Sequence, residues 1–189
     1  RKYLVIHCTA TQEGVEKTYS DIEEFHLAPL PLLGGLVQYK GKVYKSRIEL
    51  PDEKLNGKSI KKLTGRGWKK VGYSKLILLS GLVHSFVQEN DDEFVDQFEI
   101  TNGATGINSE SMHICYVGGV DKNLNPKDTR TELQKLSLKE IVLLTIKKQQ
   151  DIKVAGHYHF AKKACPSFNV EKWLEFIGVA EKNIYRKGK

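Results

Sequence analysis

The run Tyr3-Leu4-Val5-Ile6-His7-Cys8 is apolar at nearly every position. That is the pattern of a strand covered on both faces inside an α/β sheet, not the strict alternation of a half-exposed strand. A strand of this kind belongs at the centre of its sheet. Met112 to Val117, ending at Gly118-Gly119, reads as another buried strand, and Ile152-Lys153-Val154-Ala155 reads as a last one that delivers Gly156-His157 at its end. Leu76 to Leu79 and Val83 to Gln88 form a strand pair around Ser80-Gly81-Leu82.

Helices are signalled by their caps. Ser20 is placed to cap a short helix over Asp21 to Phe25, with acidic residues in the first turn where the helix dipole favours them. Thr131-Glu132-Leu133-Gln134 and Ser137-Leu138-Lys139-Glu140 are both capping-box patterns, and Leu133, Leu136, Ile141, Leu144 and Ile146 mark one apolar helical face. Asn169 caps a short terminal helix through Trp173 and Phe176. Between these, Pro29, Pro31 and Gly34-Gly35 loosen the pattern. Val37-Gln38-Tyr39 and Val43-Tyr44-Lys45 then flank Lys40-Gly41-Lys42 as a hairpin, followed by a basic loop. The expected fold is a single α/β domain with a mixed central β-sheet flanked by helices.

A chain of 189 residues with 40% hydrophobic content and no internal repeat can bury a sizeable core, which excludes general disorder. No run approaches the eighteen or so apolar residues of a membrane span, so a soluble domain with no membrane insertion is expected, any export signal being removed or never present. Thirty Lys and Arg against 23 Asp and Glu favour encounter with polyanions. Much of the excess lies in Lys54 to Lys70 and Lys182 to Lys189, as solvated basic surface. Neither zinc-finger spacing nor an aromatic RNA-binding motif accompanies it, so no nucleic acid is required.

The cysteines are too few for a disulfide-stapled secreted scaffold. Cys8 and Cys115 sit in apolar runs, where small buried thiols are common. Cys165 is different: it lies just before Pro166 and eight residues after His157. A catalytic zinc site takes three His, Cys or carboxylate ligands on rigid elements and leaves one position open. His7 and His157 follow strands and Cys165 lies in the loop beyond, so all three are candidates. Taken singly, a lone histidine or cysteine is more often filler, and His26, His84, His113 and His159 are histidines with no such role assigned. His159 is the nearest rival to His157.

The order of motifs then matches a family. Val5-Ile6-His7-Cys8-Thr9-Ala10-Thr11, Gly67-Trp68, Val71-Gly72-Tyr73, Cys115-Tyr116-Val117-Gly118-Gly119 and His157 through Ala164-Cys165-Pro166-Ser167-Phe168 follow one another as in the zinc-dependent N-acetylmuramoyl-L-alanine amidases of the phage-lysozyme type, which are related to the peptidoglycan recognition proteins. The chain resembles that family over most of its length outside Leu30 to Lys62. The resemblance implies that His7, His157 and Cys165 bind Zn2+, and that Tyr73 and Lys163 are catalytic. It also implies peptidoglycan as partner, action outside the cytoplasmic membrane, and a monomer. In such a site zinc lowers the pKa of bound water from about 16 toward 7 and polarises the scissile carbonyl. Lys163 is the candidate donor to the oxyanion, and Tyr73 the candidate to orient water or pass a proton to the leaving amine. Lys162 does not fall on the lysine position.

Two departures stand out. Many family members have His directly after the Tyr and another before Ser-Ile-Gly, where this chain has Ser74 and, nearby, Gly103-Ala104-Thr105-Gly106. Contacts to the stem peptide around Thr101 to Asn108 should differ accordingly. Leu30 to about Lys62 is an insertion, placed to shape one wall of the groove, to bind anionic wall polymer through Lys54, Lys58, Lys61 and Lys62, or to serve only as surface. Two rival functions use the same residues: a non-catalytic peptidoglycan-binding module, and a zinc peptidase cutting elsewhere in the stem peptide.

Overall fold

The computed structural model describes residues 1–90 and 92–188, so Lys189 of the basic tail lies outside the described residues. In chain order the elements are β1 (Tyr3–Cys8), β2 (Thr11–Gln12), α1 (Tyr19–Leu27), β3 (Leu30–Pro31), β4 (Val37–Tyr39), β5 (Lys42–Tyr44), β6 (Lys54–Leu55) and β7 (Lys58–Ser59). There follow β8 (Lys75–Ile77), β9 (Val83–Ser85), β10 (Ser111–Tyr116), β11 (Gly119–Val120), α2 (Glu132–Lys148), β12 (Lys153–Gly156) and α3 (Val170–Phe176). The chain packs as two units, Thr18–Gly72 and the rest. Among the described residues no helix is long and apolar enough to cross a membrane.

The larger unit is built on a five-stranded sheet of order β12-β1-β10-β8-β9. β1 runs parallel to both neighbours, β8 runs parallel to β10, and β9 closes the edge antiparallel, so the sheet is mixed, as expected. Successive side chains on a strand point to opposite faces. Leu4 and Ile6 of β1 and Met112 and Ile114 of β10 therefore meet Leu138 and Val142 of α2 and Val170 and Leu174 of α3 in one core. Val5, His7, His113 and Cys115 take the other face.

α2 starts at the first of the two candidate boxes, with the Thr131 hydroxyl accepting from Gln134 N–H and the Gln134 side chain accepting from Thr131 N–H. Its apolar face differs from expectation. Ile141 and Ile146 touch the core, but Leu133, Leu136 and Leu144 are half or more exposed. The buried stripe is Gln134, Leu138 and Val142. The reason is polar: the Gln134 amide donates to the carbonyls of Ile77 and Val117 at 3.1 and 2.9 Å, satisfying two strand-end acceptors and setting the helix's rotation. α3 is capped by Asn169, as its sequence indicates.

In the smaller unit α1 begins two residues before the expected cap. Thr18 and Asp21 form a reciprocal box, which satisfies two orphan donors at once, and Ser20 falls inside the first turn. β4 and β5 form the hairpin around Lys40-Gly41, and β6 and β7 form a second one within the basic loop. Lys58 pairs with Glu24 at 2.8 Å and Lys40 with Glu53 at 2.7 Å, so part of the basic charge is locally balanced. Val37, Tyr39, Leu50 and Ile60 make this unit's own core.

His26 on α1 is buried and stacked on Trp68, with centroids 4.8 Å apart and planes at 10°. Burial, with the Arg66 charge nearby, lowers its pKa to about 4. The unfolded chain then takes up a proton near pH 6.5 that the folded unit refuses until about pH 4, so stability is full above pH 6.5 and lost on acidification through that window. The loss should be on the order of 3 kcal/mol. Urea midpoints of the native protein and His26→Phe at pH 7 and pH 4.5 check this: the variant, which keeps an aromatic ring over Trp68, should lose markedly less stability on acidification.

Candidate metal centre

The site grows out of strand register. Ile6 of β1 pairs with Gly156 of β12, so His7 and His157, each one residue further on, emerge side by side with ring centroids 4.5 Å apart. Both rings are buried. Cys165 is brought back by the loop after His157: Tyr158 N–H donates to the Cys165 carbonyl at 2.9 Å, and Ser167 N–H to the Ala164 carbonyl at 2.7 Å. The Tyr116 hydroxyl donates to the Pro166 carbonyl at 2.6 Å, holding the loop against β10 across a cis Cys165-Pro166 bond. Arg130 lies over the Phe168 ring at 3.3 Å and pins the loop's far end.

One ligand atom from each of His7, His157 and Cys165 lies within 4.8 Å of the others. His7 Nδ1 and Cys165 Sγ are 3.9 Å apart. A tetrahedral ion with bonds of about 2.0–2.3 Å keeps its ligand atoms roughly 3.5 Å apart, so the donor set and spacing fit a divalent metal such as zinc. His159, the sequence rival, is excluded by its partners: its Nδ1 meets the backbone of Gly156 and its Nε2 the Glu171 carboxylate at 2.8 Å.

Burial sets the electrostatics. His157 is lowered to about 4 by desolvation and by the charge of Lys163, which places that lysine within electrostatic reach of the ring. His157 is therefore neutral at pH 7, the form that ligates. Cys8 N–H donates to the Cys165 sulfur at 3.2 Å. The hydrogen bond between the two thiols lowers Cys8 to about 7, and the same bond with burial pushes Cys165 up. A coordinated cation reverses that order, because a ligating thiol is deprotonated outright. Tyr73 stands 5.4 Å from the His7 ring, and its phenol is raised by burial and by the neighbouring Cys115, to which it hydrogen-bonds. All five candidate residues thus fall in one region of the larger unit.

One residue was not anticipated. His113, fully buried on β10, shares a 3.0 Å hydrogen bond between its Nδ1 and His7 Nε2. The available signal was a histidine in the middle of an apolar strand.

No family model matches the chain. It is 31% identical over 110 residues to the endolysin of Klebsiella phage KP32 and 30% identical over 110 residues to that of Escherichia phage T7, in each case covering 58% of this chain and 68% of the relative. Among solved structures, the endolysine N-acetylmuramoyl-L-alanine amidase LysCS of Clostridium intestinale URNW superposes with a TM-score of 0.57 at 16% identity, covering 95% of this chain and 84% of that one. The chain belongs to the phage endolysins, and it shares the fold of that amidase.

Gly119 guards the site's geometry. It has φ of +107°, and a Cβ there would meet the Cys8 Cβ at 2.7 Å. Gly119→Ala should therefore cost roughly 2–4 kcal/mol from strain and overpacking, read by urea denaturation. Because Cys8 N–H holds the Cys165 sulfur, the same variant should also bind zinc more weakly than the native chain in a chelator competition.

Proposed function

We propose that this chain is a zinc-dependent peptidoglycan hydrolase that cleaves the amide between N-acetylmuramic acid and L-alanine. The convergence of His7, His157 and Cys165 with Tyr73 and Lys163, drawn from segments far apart in the chain, carries this reading. Membership of the endolysin family and the amidase fold neighbour support it. Action on the wall puts the site of work outside the cytoplasmic membrane.

His7, His157 and Cys165 would hold the ion. Zinc bound there supplies Lewis-acid polarisation and an acidified water at neutral pH. The protein's own residues do the rest. His157, neutral at pH 7, presents a lone pair without first losing a proton. Tyr73 stays a protonated phenol because burial opposes its ionisation, so it is a donor that can orient a water or pass a proton to the leaving amine. Lys163, exposed beside His157, can turn its Nζ toward the oxygen that gains charge when the amide carbon becomes tetrahedral.

Zinc content and release of L-alanine amino termini from purified peptidoglycan test the reading directly. The native chain should hold about one zinc, the complement of a mononuclear site, and expose new L-alanine termini, and Cys165→Ser should do neither. Zinc without new L-alanine termini would assign the metal correctly and the bond wrongly, as in a stem-peptide peptidase. Wall binding without zinc would make this a recognition module.

Tyr73→Phe and Lys163→Ala separate metal binding from chemistry. Both should retain zinc while kcat falls by about 10²–10³-fold, the usual cost of removing one proton-transfer group or one oxyanion donor. Loss of zinc in either variant would move that residue from chemistry to metal binding.

A further inference from the structure

We infer that His113 positions His7 for metal binding by accepting a hydrogen bond from His7 Nε2, which leaves Nδ1 of His7 as the ligating atom. The inference rests on the metal site proposed above and adds a residue to it.

The geometry is specific about which nitrogen does what. His7 Nδ1 is the atom that faces the Cys165 sulfur, at 3.9 Å, whereas His7 Nε2 lies 3.0 Å from His113 Nδ1. A neutral imidazole has one N–H and one lone pair. If Nδ1 ligates, its lone pair is committed and the proton must sit on Nε2. His113 Nδ1 lies within hydrogen-bond reach of that proton. The two rings lie with centroids 5.1 Å apart and planes at 61°, close enough for the two nitrogens to meet at 3.0 Å.

His113 is itself held in place. Its strand pairs with β1 in the register Val5↔His113 and His7↔Cys115, which puts the two histidines on the same face, one pleat apart. Its backbone N–H donates to the Ser74 hydroxyl at 3.2 Å, and its carbonyl accepts from Ser74 N–H at 2.7 Å. His113 Nε2 is buried and has no hydrogen-bond partner among the described residues, so the ring's one polar contact is the bond to His7. Burying an imidazole for a single bond makes sense if that bond fixes the tautomer of a ligand. Metal-ligating histidines regularly use their second nitrogen in this way, and loss of such a partner weakens metal affinity about 10–100-fold.

The test uses zinc itself as the probe, with affinities measured by competition against a chromophoric chelator on the native protein, His113→Leu and His113→Asn. Asn offers an amide oxygen close to where Nδ1 sits; Leu offers no acceptor. Zinc affinity should fall about 10–100-fold in the Leu variant and stay within about threefold of native in the Asn variant. Native-like affinity in His113→Leu would overturn the inference while leaving the metal site intact. Equal weakening in both variants would reduce His113 to a packing residue. Absence of zinc from the native chain would fell the metal site and this inference together.

Should His113→Leu fail to fold, long-range ¹H–¹⁵N spectra of the zinc-loaded native protein decide the matter. They should show His7 ligating through Nδ1 with its proton on Nε2. Ligation through Nε2, or a proton on Nδ1, would refute the assignment.

Discussion

The parallel pairing of β1 with β10 on one side and β12 on the other is the interaction on which the rest of the larger unit depends. Parallel strands end on the same edge, and open α/β sheets place their ligands beyond those carboxyl ends. Here the rule is obeyed by the candidate metal centre: His7 lies one residue before the end of β1, His157 follows β12, and Cys165 is folded back by a loop that β10 anchors through Tyr116. Because side chains alternate, a slip of one residue in β1 would turn His7 toward α2 and bring a core residue to the site. The core on the helix side, Leu4 and Ile6 against Leu138, Val142 and Leu174, resists that slip. Hydrophobic register on one face thus specifies ligand geometry on the other.

Burial does the electrostatic work at the same place. Desolvation holds His157 and His113 neutral at pH 7, with values of about 4 and 3. A neutral ring is ligand-competent, so the cost of burying an imidazolium is avoided and the lone pairs are ready. The thiols behave differently: hydrogen bonding between Cys8 and Cys165 favours ionisation of the first and opposes it in the second. A metal held by Cys165 would have to displace a proton from that thiol.

Much of this was legible in the residues. Continuous apolar runs mark β1, β10 and β12, and motif order alone points to His7, Tyr73, His157, Lys163 and Cys165. What periodicity could not show was decided by polar satisfaction. α2 turned Leu133, Leu136 and Leu144 outward because Gln134 was needed by two strand-end carbonyls, a demand that exists only once β8 and β10 are side by side. α1 began at Thr18 because a reciprocal box outweighs a single serine. His159, the nearest rival to His157 in the sequence, is set apart because Glu171 and the Gly156 backbone occupy both of its nitrogens.

His113 is where local and global consistency part company. A histidine in the middle of a buried apolar strand is unfavourable by any local rule, since it brings two polar nitrogens where Val or Ile would pack without cost. One of those nitrogens finds a partner and the other does not. Half-satisfied polar groups in a core weaken it, and a sequence under pressure only for stability would replace them. The partner that is found is a ligand of the candidate metal centre, and the bond reaches the one nitrogen of that ligand which faces away from Cys165. A structural liability placed on that atom is explained by what the atom next to it has to do.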